Sequence, residues 1–367
     1  MDSPLSKKNT IYLVLGGILG LLVLTFVILG FKVQWTIHQI TAFATKQDEY
    51  QLFDAFGEKK TTFEHLPLPE PQANRQNFLI VGMRGFGMDD GPLLTDTMLL
   101  VSIEKDPVSG LHRSALISVP RDLFVQVPYG QKTKINELYT IGYEKGGEKL
   151  AFNLVKTVVS EVTGVYIDGM IRIDFNGFQK IIDTIGGVDV YLQTPFQEVK
   201  QWEGAGGFFL PKGLNHLNGE QALYFSRSRF STSDFDRARR QQIVLLAVKK
   251  KLATLGILSN PLKVYSILDI LGSHIRTDVS MGVGEGLSLL SDFNDNDMRK
   301  LVLSTENFLN QGIGPHKAYI LTPKDETYGD IHQAVGSIFG SNPSGSSGYI
   351  APQAYTALLV HATSTTP

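Results

Sequence analysis

Arginine and aspartate are concentrated in one stretch of the chain, residues 221–242, QALYFSRSRFSTSDFDRARRQQ. It contains five arginines and two aspartates, in a chain whose formal net charge is only -2. Guanidinium groups bind phosphate oxygens bidentately, so this composition suits a phosphate or diphosphate ligand. At the two-residue period of a strand, four alternate residues share one face: Leu223, Phe225, Arg227 and Arg229. This face predicts a pocket with an apolar wall beside two arginines. A basic surface paired with acidic neighbours is the alternative.

A helix is predicted directly after this strand. The polar turn STSD ends at Asp234, which we expect to be the N-cap, with Asp236 in the first helical turn. Helical spacing then places Arg237, Arg240 and Gln241 close together. The free N–H groups and positive dipole of a helix N-terminus favour anions, so the helix start would add to phosphate binding.

Further acidic and basic residues lie near predicted strand ends. Arg121 and Asp122 follow a predicted strand, at the end where open α/β sheets commonly build their sites. Asp96 precedes another strand, and Lys134 and Asn136 form a third candidate group. Carboxylates bind hard cations such as Mg2+, so the whole set suits phosphoryl transfer. Asp96 could instead cap a turn, and Lys134 could be an ordinary surface lysine.

Other chemistries have little support in the sequence. Cysteine is absent, and the eight histidines are scattered without an HExxH or H-x-H pair, which argues against thiol chemistry and a histidine-based zinc hydrolase. The glycine-rich segment 142–147 has the spacing of a phosphate-binding loop, but Glu148 occupies the position of its lysine. There is no G-x-S-x-G motif of serine hydrolases. The near-neutral chain has no global basic field for nucleic acid.

An uncharged segment, residues 11–31, predicts a single transmembrane helix. At about 1.5 Å per residue it is long enough to cross a bilayer. Lys7 and Lys8 precede it, so the positive-inside tendency predicts a cytoplasmic N-terminus and an extracytoplasmic domain at the cell membrane. A cleaved signal peptide is the alternative, but its apolar region is usually only about 7 to 15 residues long.

Composition divides the chain into six segments, with the proline-rich LPLPEPQ at 66–72 as the clearest boundary. These are a cytoplasmic tail at 1–10, a transmembrane anchor at 11–31, a stalk at 32–74, a catalytic domain at 75–255, C-terminal helices and edge strands packing on that domain at 256–340, and a flexible linker and tail at 341–367.

Hydrophobic periodicity predicts alternating strands and helices in the globular part. Strands are predicted at 78–81, 97–103, 114–119, 165–175, 188–192, 301–304 and 318–321. Helices are predicted at 144–163, 177–185, 243–258 and through 269–293, and an amphipathic helical segment at 34–60. This order predicts an α/β fold with a central mixed sheet flanked by helices.

Seven motifs, in order, resemble the LytR-CpsA-Psr proteins of bacterial envelopes. They are FLIVG (78–82), LTDTMLLVSI (94–103), SVPRDLFVQVP (118–128), KINELY (134–139), DFNGFQKIIDTIGGVDV (174–190), LNGEQALYFSRSR (217–229) and DFDRARRQQ (234–242). Each is weak alone, but their joint order is specific.

The resemblance implies an extracytoplasmic phosphotransferase that moves a glycopolymer from a polyprenyl diphosphate carrier to an acceptor such as peptidoglycan. By position, Asp96 resembles the family's magnesium-binding aspartate, and Arg121, Arg227 and Arg229 resemble its diphosphate-binding arginines. Further expected catalytic or substrate-binding residues surround them: Asp122, Lys134, Asn136, Asp234, Arg237, Arg240, Gln241 and Gln242.

One position departs from the family's pattern. A second metal-binding aspartate is usual soon after the first strand, in G-x-D-x-R, and Arg84 stands there instead. Asp89 or Asp90 could replace it as a Mg2+ ligand, or Arg84 could supply part of the cation's charge at the substrate.

Two other functions stay open at this point. The same pocket could hydrolyse the lipid diphosphate, with water as the acceptor. A non-catalytic envelope receptor for lipid or glycan is the other possibility, although about ten cytoplasmic residues would be too few for a signalling domain.

Overall fold

The computed structural model describes residues 29–39, 41, 68–85, 93–106, 109–128, 130–200, 206–254, 261–279 and 298–340. The predicted cytoplasmic tail, most of the predicted anchor and the predicted C-terminal tail lie outside these residues. Within the described ranges, no helix is both long and apolar enough to cross a membrane.

The described chain is built on a central mixed sheet of six strands, which confirms the predicted α/β class. In spatial order the strands are β11 (Ile275–Thr277), β6 (Gly169–Asp174), β1 (Arg75–Met83), β2 (Thr95–Lys105), β3 (His112–Ser118) and β12 (Arg299–Val302). The pairs β1–β6 and β3–β12 are parallel, and the others are antiparallel. Strands β1 and β2 are buried along most of their length, as expected for near-continuous apolar runs.

Four two-stranded ribbons accompany the sheet in the described part of the chain. They are β4 (Phe124–Gln126) with β5 (Lys132–Lys134), β7 (Val188–Leu192) with β10 (Gly213–Leu217), β8 (Phe196–Glu198) with β9 (Phe208–Leu210), and β13 (Leu309–Ile313) with β14 (Tyr319–Pro323). All four pairs are antiparallel.

The helices cover the sheet and the β7–β10 ribbon. They are α1 (Leu138–Thr163), α2 (Phe175–Thr184), α3 (Gly219–Arg227), α4 (Asp234–Thr254), α5 (Pro261–His274) and α6 (Gly329–Gly336). The α1 range holds two helical segments joined by a kink at Gly146 and Gly147, where the φ of Gly147 is 75°. Glycine suits position 147 because it readily adopts a positive φ. Gly142 instead permits a close approach, since a Cβ there would lie 2.5 Å from the Cα of Ala151.

Helix α4 is fixed by apolar packing on two sides. Leu245 and Leu246 pack against buried residues of β2 and β3. Val244 and Ala247 belong to a second core, which also includes residues of α2, α3, β7 and β10. A helix buried on two sides has little freedom to move, so the residues at its N-terminus are held in a defined place.

The predicted strand at 223–229 is wrong, because the segment forms the last turns of helix α3 and the turn after it. Asn218 accepts a hydrogen bond from the backbone N–H of Gln221, and the Gln221 side chain accepts from the backbone N–H of Asn218. This capping box starts a helix. The helix ends at Arg227, since Ser228 is extended.

The predicted helix over 269–293 is confirmed at residues 269–274 and wrong at residues 275–277. Helix α5 ends at His274, and residues 275–277 form the edge strand β11 beside β6. Asp278 then accepts a hydrogen bond from the backbone N–H of Met170. Pairing with an existing sheet edge has overridden the local helical pattern. Residues 280–293 lie outside the described ranges.

The segment predicted as a stalk begins with a helix that packs on the domain. Residues 29–39 are helical, and Lys32 Nζ lies 2.8 Å from Asp269 Oδ1 on α5. Thr36 is buried, and its hydroxyl donates to the carbonyl of Leu268. At least the first residues after the predicted anchor are therefore attached to the domain.

Candidate functional site

Asp96 lies in a β-bulge at the start of β2. Gly82 pairs with Thr97 while Met83 pairs with Thr95, so Asp96 is the extra residue between the two pairs. A bulge breaks the regular alternation of a strand and redirects a side chain. The bulge lies at the edge of the sheet where β1, β3 and β6 end, and there the Asp96 side chain meets Arg121.

Arg121 lies at the centre of three carboxylates. Its Nη1 donates to Asp96 Oδ1 at 2.8 Å, and its Nε lies 3.6 Å from Asp122 Oδ2 and 3.5 Å from Asp234 Oδ1. Arg121 and Asp122 follow β3, as the sequence predicted. A guanidinium with carboxylates on two sides is held in place and keeps its remaining N–H groups for a ligand.

Two further cations complete this group. Lys134 Nζ lies 2.6 Å from Asp122 Oδ1. Arg237 Nη2 lies 3.0 Å from Asp234 Oδ2 and donates to the backbone carbonyl of Asp96 at 3.1 Å. We call the six residues the Arg121 cluster: Arg121, Lys134, Arg237, Asp96, Asp122 and Asp234.

Ser233, and not Asp234 as predicted, caps helix α4. The Ser233 hydroxyl accepts from the backbone N–H of Asp236, and the Ser233 N–H donates to the Asp236 carboxylate at 3.2 Å. This reciprocal pair satisfies the helix start. The Asp234 side chain is thus left to bind Arg237 and Arg121.

Burial shapes the charges of the cluster. It raises the pKa of Asp234 above its ordinary value, against the lowering effect of Arg237 and Arg121, and the carboxylates of Asp122 and Asp96 raise it further. Burial would lower the pKa of Arg121, but the attraction of Asp96, Asp234 and Asp122 outweighs it and the pKa is raised. Arg121 therefore stays charged, while the carboxylate of Asp234 binds a proton more tightly than an ordinary aspartate does.

A pocket of about 460 Å³ opens beside the cluster. Its lining combines charged residues with apolar ones: Arg121, Asp122, Arg229, Phe230, Ser233, Asp234, Phe235, Gln311, Tyr319 and Leu321. A mixture of ionic groups with phenylalanine and leucine suits a ligand that has both a charged and an apolar part.

Arg227 and Arg229, which were predicted to share one face of a strand, lie in different places. Arg229 lines the pocket with Arg121. The guanidinium of Arg227, on helix α3, lies over the ring of Phe175 at 4.4 Å. Phe175 follows Asp174 at the end of β6, so Arg227 also lies at the site edge of the sheet, on the β6 side.

Four predicted substrate-binding residues make structural contacts. Arg240 donates to the carbonyls of Phe225 and Ser228. Gln241 donates to the carbonyl of Ser226, and Gln242 donates to the Ser118 hydroxyl and to the carbonyl of Leu301.

Asn136 is the fourth of these residues. Its backbone N–H donates to the carbonyl of Arg121, and its carbonyl accepts from the Thr95 hydroxyl. These contacts position neighbours of the site, and direct substrate binding by the four residues stays a prediction.

Buried Glu198 was missed from the sequence. It is fully buried, and its carboxylate accepts from the backbone N–H of Phe230 at 2.9 Å and from the Ser231 hydroxyl at 2.6 Å. Together with Arg240, it fixes the turn at 228–233 that carries Arg229. No local signal marks this role of Glu198, because the turn residues that it binds lie more than thirty residues away.

Tyr319 and Gln311 were also missed. Both belong to the β13–β14 ribbon, which joins the site where the backbone N–H of Leu321 donates to the carbonyl of Asp122. Tyr319 lines the pocket with Asp122 and Asp234. Burial raises the pKa of Tyr319, and so do these two carboxylates.

The described residues alone do not make up a Mg2+ site. None of them form a group of three or more acidic or histidine side chains arranged to hold a metal ion. The three carboxylates of the cluster point at Arg121 instead. Arg84 directly follows β1 and also has interaction partners, whereas Asp89 and Asp90 lie outside the described residues.

Comparison with known proteins agrees with this architecture. The model of the LytR_cpsA_psr family matches residues 38–326. The polyisoprenyl-teichoic acid–peptidoglycan teichoic acid transferase TagV of Bacillus subtilis is 27% identical over 252 residues, which are 67% of this chain and 60% of TagV. The enzyme of the same type named TagU, from Oceanobacillus iheyensis, is 33% identical over 209 residues, which are 56% of this chain and 59% of TagU.

The fold is shared with a solved relative. The crystal structure of B. subtilis TagV matches 74% of this chain and 100% of its own chain, with a TM-score of 0.55 and 25% sequence identity. The chain spans about 60% of the length of the two curated relatives. The family match nevertheless covers most of the chain and confirms the resemblance of the seven motifs, so the protein belongs to the LytR-CpsA-Psr family.

Proposed function

We propose that the protein transfers a glycopolymer from a polyprenyl diphosphate carrier to a hydroxyl of peptidoglycan. The observation that carries the proposal is the pocket at which Arg229 and Arg121 meet, beside apolar Phe230, Phe235 and Leu321. It offers guanidiniums for a diphosphate and apolar side chains for the first part of a lipid. The names of TagV and TagU, teichoic acid transferases to peptidoglycan, support the same reaction.

The proposed reaction breaks one phosphoanhydride bond. An acceptor oxygen attacks the phosphorus that carries the glycan, and the bond from that phosphorus to the bridging oxygen breaks. The lipid monophosphate leaves with the electron pair, and Arg121 stabilises the negative charge on its oxygens and on the transferred phosphoryl group, while Arg229 binds the diphosphate of the donor.

Asp234 is the proposed acceptor of the proton from the attacking hydroxyl. Its raised pKa brings it closer to the range in which a carboxylate is an effective base. Its Oδ2 is held by Arg237, while its Oδ1 accepts no hydrogen bond. Asp122 is bound to Lys134 and has the proposed role of orienting Arg121.

A Mg2+ requirement stays a proposal from the family resemblance. It would depend on Asp96 with Asp89 or Asp90, and no step above uses the ion. Within the Arg121 cluster, the guanidinium of Arg121 lies between the carboxylates, in the place that a cation would otherwise take.

A single-pass anchor at residues 11–31, with the domain outside the cell membrane, is part of the proposal. The carrier lipid is confined to the membrane, so an anchored enzyme meets it at high local concentration. The uncharged segment and the preceding lysines support this placement.

The test uses the full chain in liposomes with a labelled polyprenyl diphosphate-linked glycan and peptidoglycan fragments. The expected products are peptidoglycan with attached glycan phosphate and free polyprenyl monophosphate. Arg237→Ala should abolish transfer, while Arg239→Ala, on the same helix, should retain it. Release of glycan phosphate into water without attachment would instead assign the pocket to hydrolysis, and no turnover of this donor would overturn the proposal.

A further inference from the structure

A cluster of exposed aromatic side chains lies where the N-terminal helix packs on α5. Phe31 is 75% exposed, Trp35 53% and Tyr265 45%. Phe31 and Trp35 belong to the helix at 29–39, whereas Tyr265 belongs to α5, more than two hundred residues later. Three large aromatic side chains exposed on one surface call for a partner that covers them.

Lys32 joins the two helices within this cluster. Its Nζ lies 4.8 Å from the ring centre of Trp35, 4.9 Å from that of Tyr265 and 2.8 Å from Asp269 Oδ1. The rings of Trp35 and Tyr265 are therefore on one side of the molecule. Tryptophan and tyrosine beside a lysine are typical of the membrane–water interface, where amphipathic rings lie at the level of the lipid headgroups.

The helices are in close contact beyond this cluster. Thr36 is 1% exposed, and a side chain added at Gly272 of α5 would place its Cβ 2.7 Å from Gln39 Oε1. The Gln39 side chain thus lies directly against the backbone of α5 at Gly272. The described helix and α5 form one packed unit.

The sequence before this unit identifies the partner. Residues 11–31 carry no charge, and Lys32 is the first charged residue after them. The apolar run therefore ends at the exposed aromatic cluster, which is the place where a membrane-spanning segment would leave the bilayer.

Helix α5 also leads to the active-site edge. It ends at His274, whose Nδ1 lies 3.0 Å from Asp174 Oδ1 at the end of β6. Asp174 precedes Phe175, which packs under Arg227. A surface that fixes α5 against a membrane would consequently also fix the height of the site above it.

We propose that Phe31, Lys32, Trp35 and Tyr265 form a membrane-interface surface that lies among the headgroups of the bilayer and orients the catalytic domain. The proposal rests on the membrane anchor of the proposed function. The surface adds to the anchor a contact between the domain itself and the membrane. An anchor followed by an unattached stalk would leave α5 in water, whereas the proposed surface places Tyr265 of α5 among the lipid headgroups.

Tryptophan fluorescence can test the surface, since the chain has two tryptophans, Trp35 and Trp202. The full chain carrying Trp35→Phe, Trp202→Phe and Tyr265→Trp is placed in liposomes whose phospholipids are brominated near the carbonyl groups. The single tryptophan on α5 should lose most of its emission relative to liposomes without bromine. The transfer assay is run on the same preparation.

Leu111 provides the matched control position. It is 69% exposed and lies between β2 and β3, at the edge of the sheet opposite the site. A single tryptophan there, made by Leu111→Trp in the same background, should keep its emission. A variant with only Trp202→Phe reports on Trp35, which should also be quenched.

The possible outcomes separate the surface from the anchor. Quenching at positions 35 and 265 but not at 111 supports the surface. Quenching at 35 alone would overturn the surface and leave the anchor and the transfer activity standing. No quenching at any position would overturn both. A blue-shifted but unquenched emission at 265 would mean that protein, such as a second copy of the chain, covers α5, and would also overturn the proposal.

Discussion

The two sides of the candidate site are held together in different ways. The Arg121 cluster is a network of ion pairs, in which Arg121, Lys134 and Arg237 face Asp96, Asp122 and Asp234. The turn at 228–233 is held by hydrogen bonds from the Phe230 N–H and the Ser231 hydroxyl to Glu198, and from Arg240 to the Ser228 carbonyl. One side is organised by charge, and the other by burial of single polar groups.

This difference indicates that the Arg121 cluster and the turn at 228–233 have different functions. Three cations face three carboxylates in the Arg121 cluster, so its formal charge is zero and it has little long-range attraction for a diphosphate. Arg229, on the turn, adds a positive charge at the same pocket. We therefore expect the turn to govern donor binding and the cluster to govern the chemical step and local stability.

The largest effect is expected from Arg121→Ala. It would leave three carboxylates close together without their central cation, and breaking such a partly buried pair costs about 3 kcal/mol. Transfer should be lost, and urea denaturation should show the decrease in the free energy of unfolding. The activity and stability of Arg121→Lys should lie between those of the wild type and of Arg121→Ala. Its ammonium keeps the positive charge but lacks the planar set of donors of a guanidinium. If Arg121→Ala were as stable as the wild type, the ion pairs of the Arg121 cluster would not be what stabilises this part of the site.

The second effect is expected from Arg229→Ala. Transfer at low donor concentration should fall about 100-fold, because a hydrogen bond to a charged group contributes about 1.5–3 kcal/mol. The fall should lie mainly in an increased KM for the donor, with stability changed by less than about 0.5 kcal/mol. Arg227→Ala should also reduce transfer, and Arg239→Ala is the control for loss of a surface charge. A fall confined to kcat would contradict the division between the two sides.

The sequence identified the Arg121 cluster better than it identified the turn. Arg121 and Asp122 follow a strand, and Asp96 precedes one, so an α/β sheet brings them to the same edge by topology alone. The bulge that redirects Asp96 was not visible, because it depends on a register shift between β1 and β2. Local pattern and sheet topology were therefore enough to predict which residues meet in the Arg121 cluster.

The turn was mispredicted because two signals competed. The alternating Leu223, Phe225, Arg227 and Arg229 fit a strand, but Asn218 and Gln221 form a capping box, which starts a helix. Leu223 and Phe225 are then buried, with Phe225 in the second core, and neither residue lines the pocket. The role of Glu198 depends on contacts far along the chain, which no local pattern contains.

A smaller effect is expected from Glu198→Gln, which keeps the shape of the side chain and removes its charge. Hydrogen bonds to a charged acceptor contribute about 1.5–3 kcal/mol, so loosening the turn should cost roughly tenfold in kcat/KM. The loss should appear as an increased KM for the donor, as for Arg229→Ala. The double variant Glu198→Gln with Arg229→Ala should have nearly the same kcat/KM as Arg229→Ala alone. Fully additive losses would show that Glu198 acts on something other than Arg229.

The smallest effect is a difference in how two neighbouring aspartates respond to pH. The pKa of Asp234 is raised above 3.8 by burial, so the folded state binds its proton more tightly than the unfolded state does. The stability of the wild type relative to Asp234→Asn should therefore decrease as pH rises from about 3.8 through the raised pKa, and then level off. Urea denaturation of both proteins across this range measures the difference.

Asp236 is the matched control, two residues along the same helix. Burial would raise its pKa, but hydrogen bonds from Ser233 and the pairing with Arg239 outweigh burial and lower it. Its contribution should be present above pH 3.8 and should be lost as pH falls through the lowered pKa, so the stability relative to Asp236→Asn should increase with pH. Opposite slopes would show that burial dominates at Asp234, whereas hydrogen bonds dominate at Asp236. Slopes of the same sign would show that burial does not raise the pKa of Asp234, and the reason for choosing it as the base would be lost.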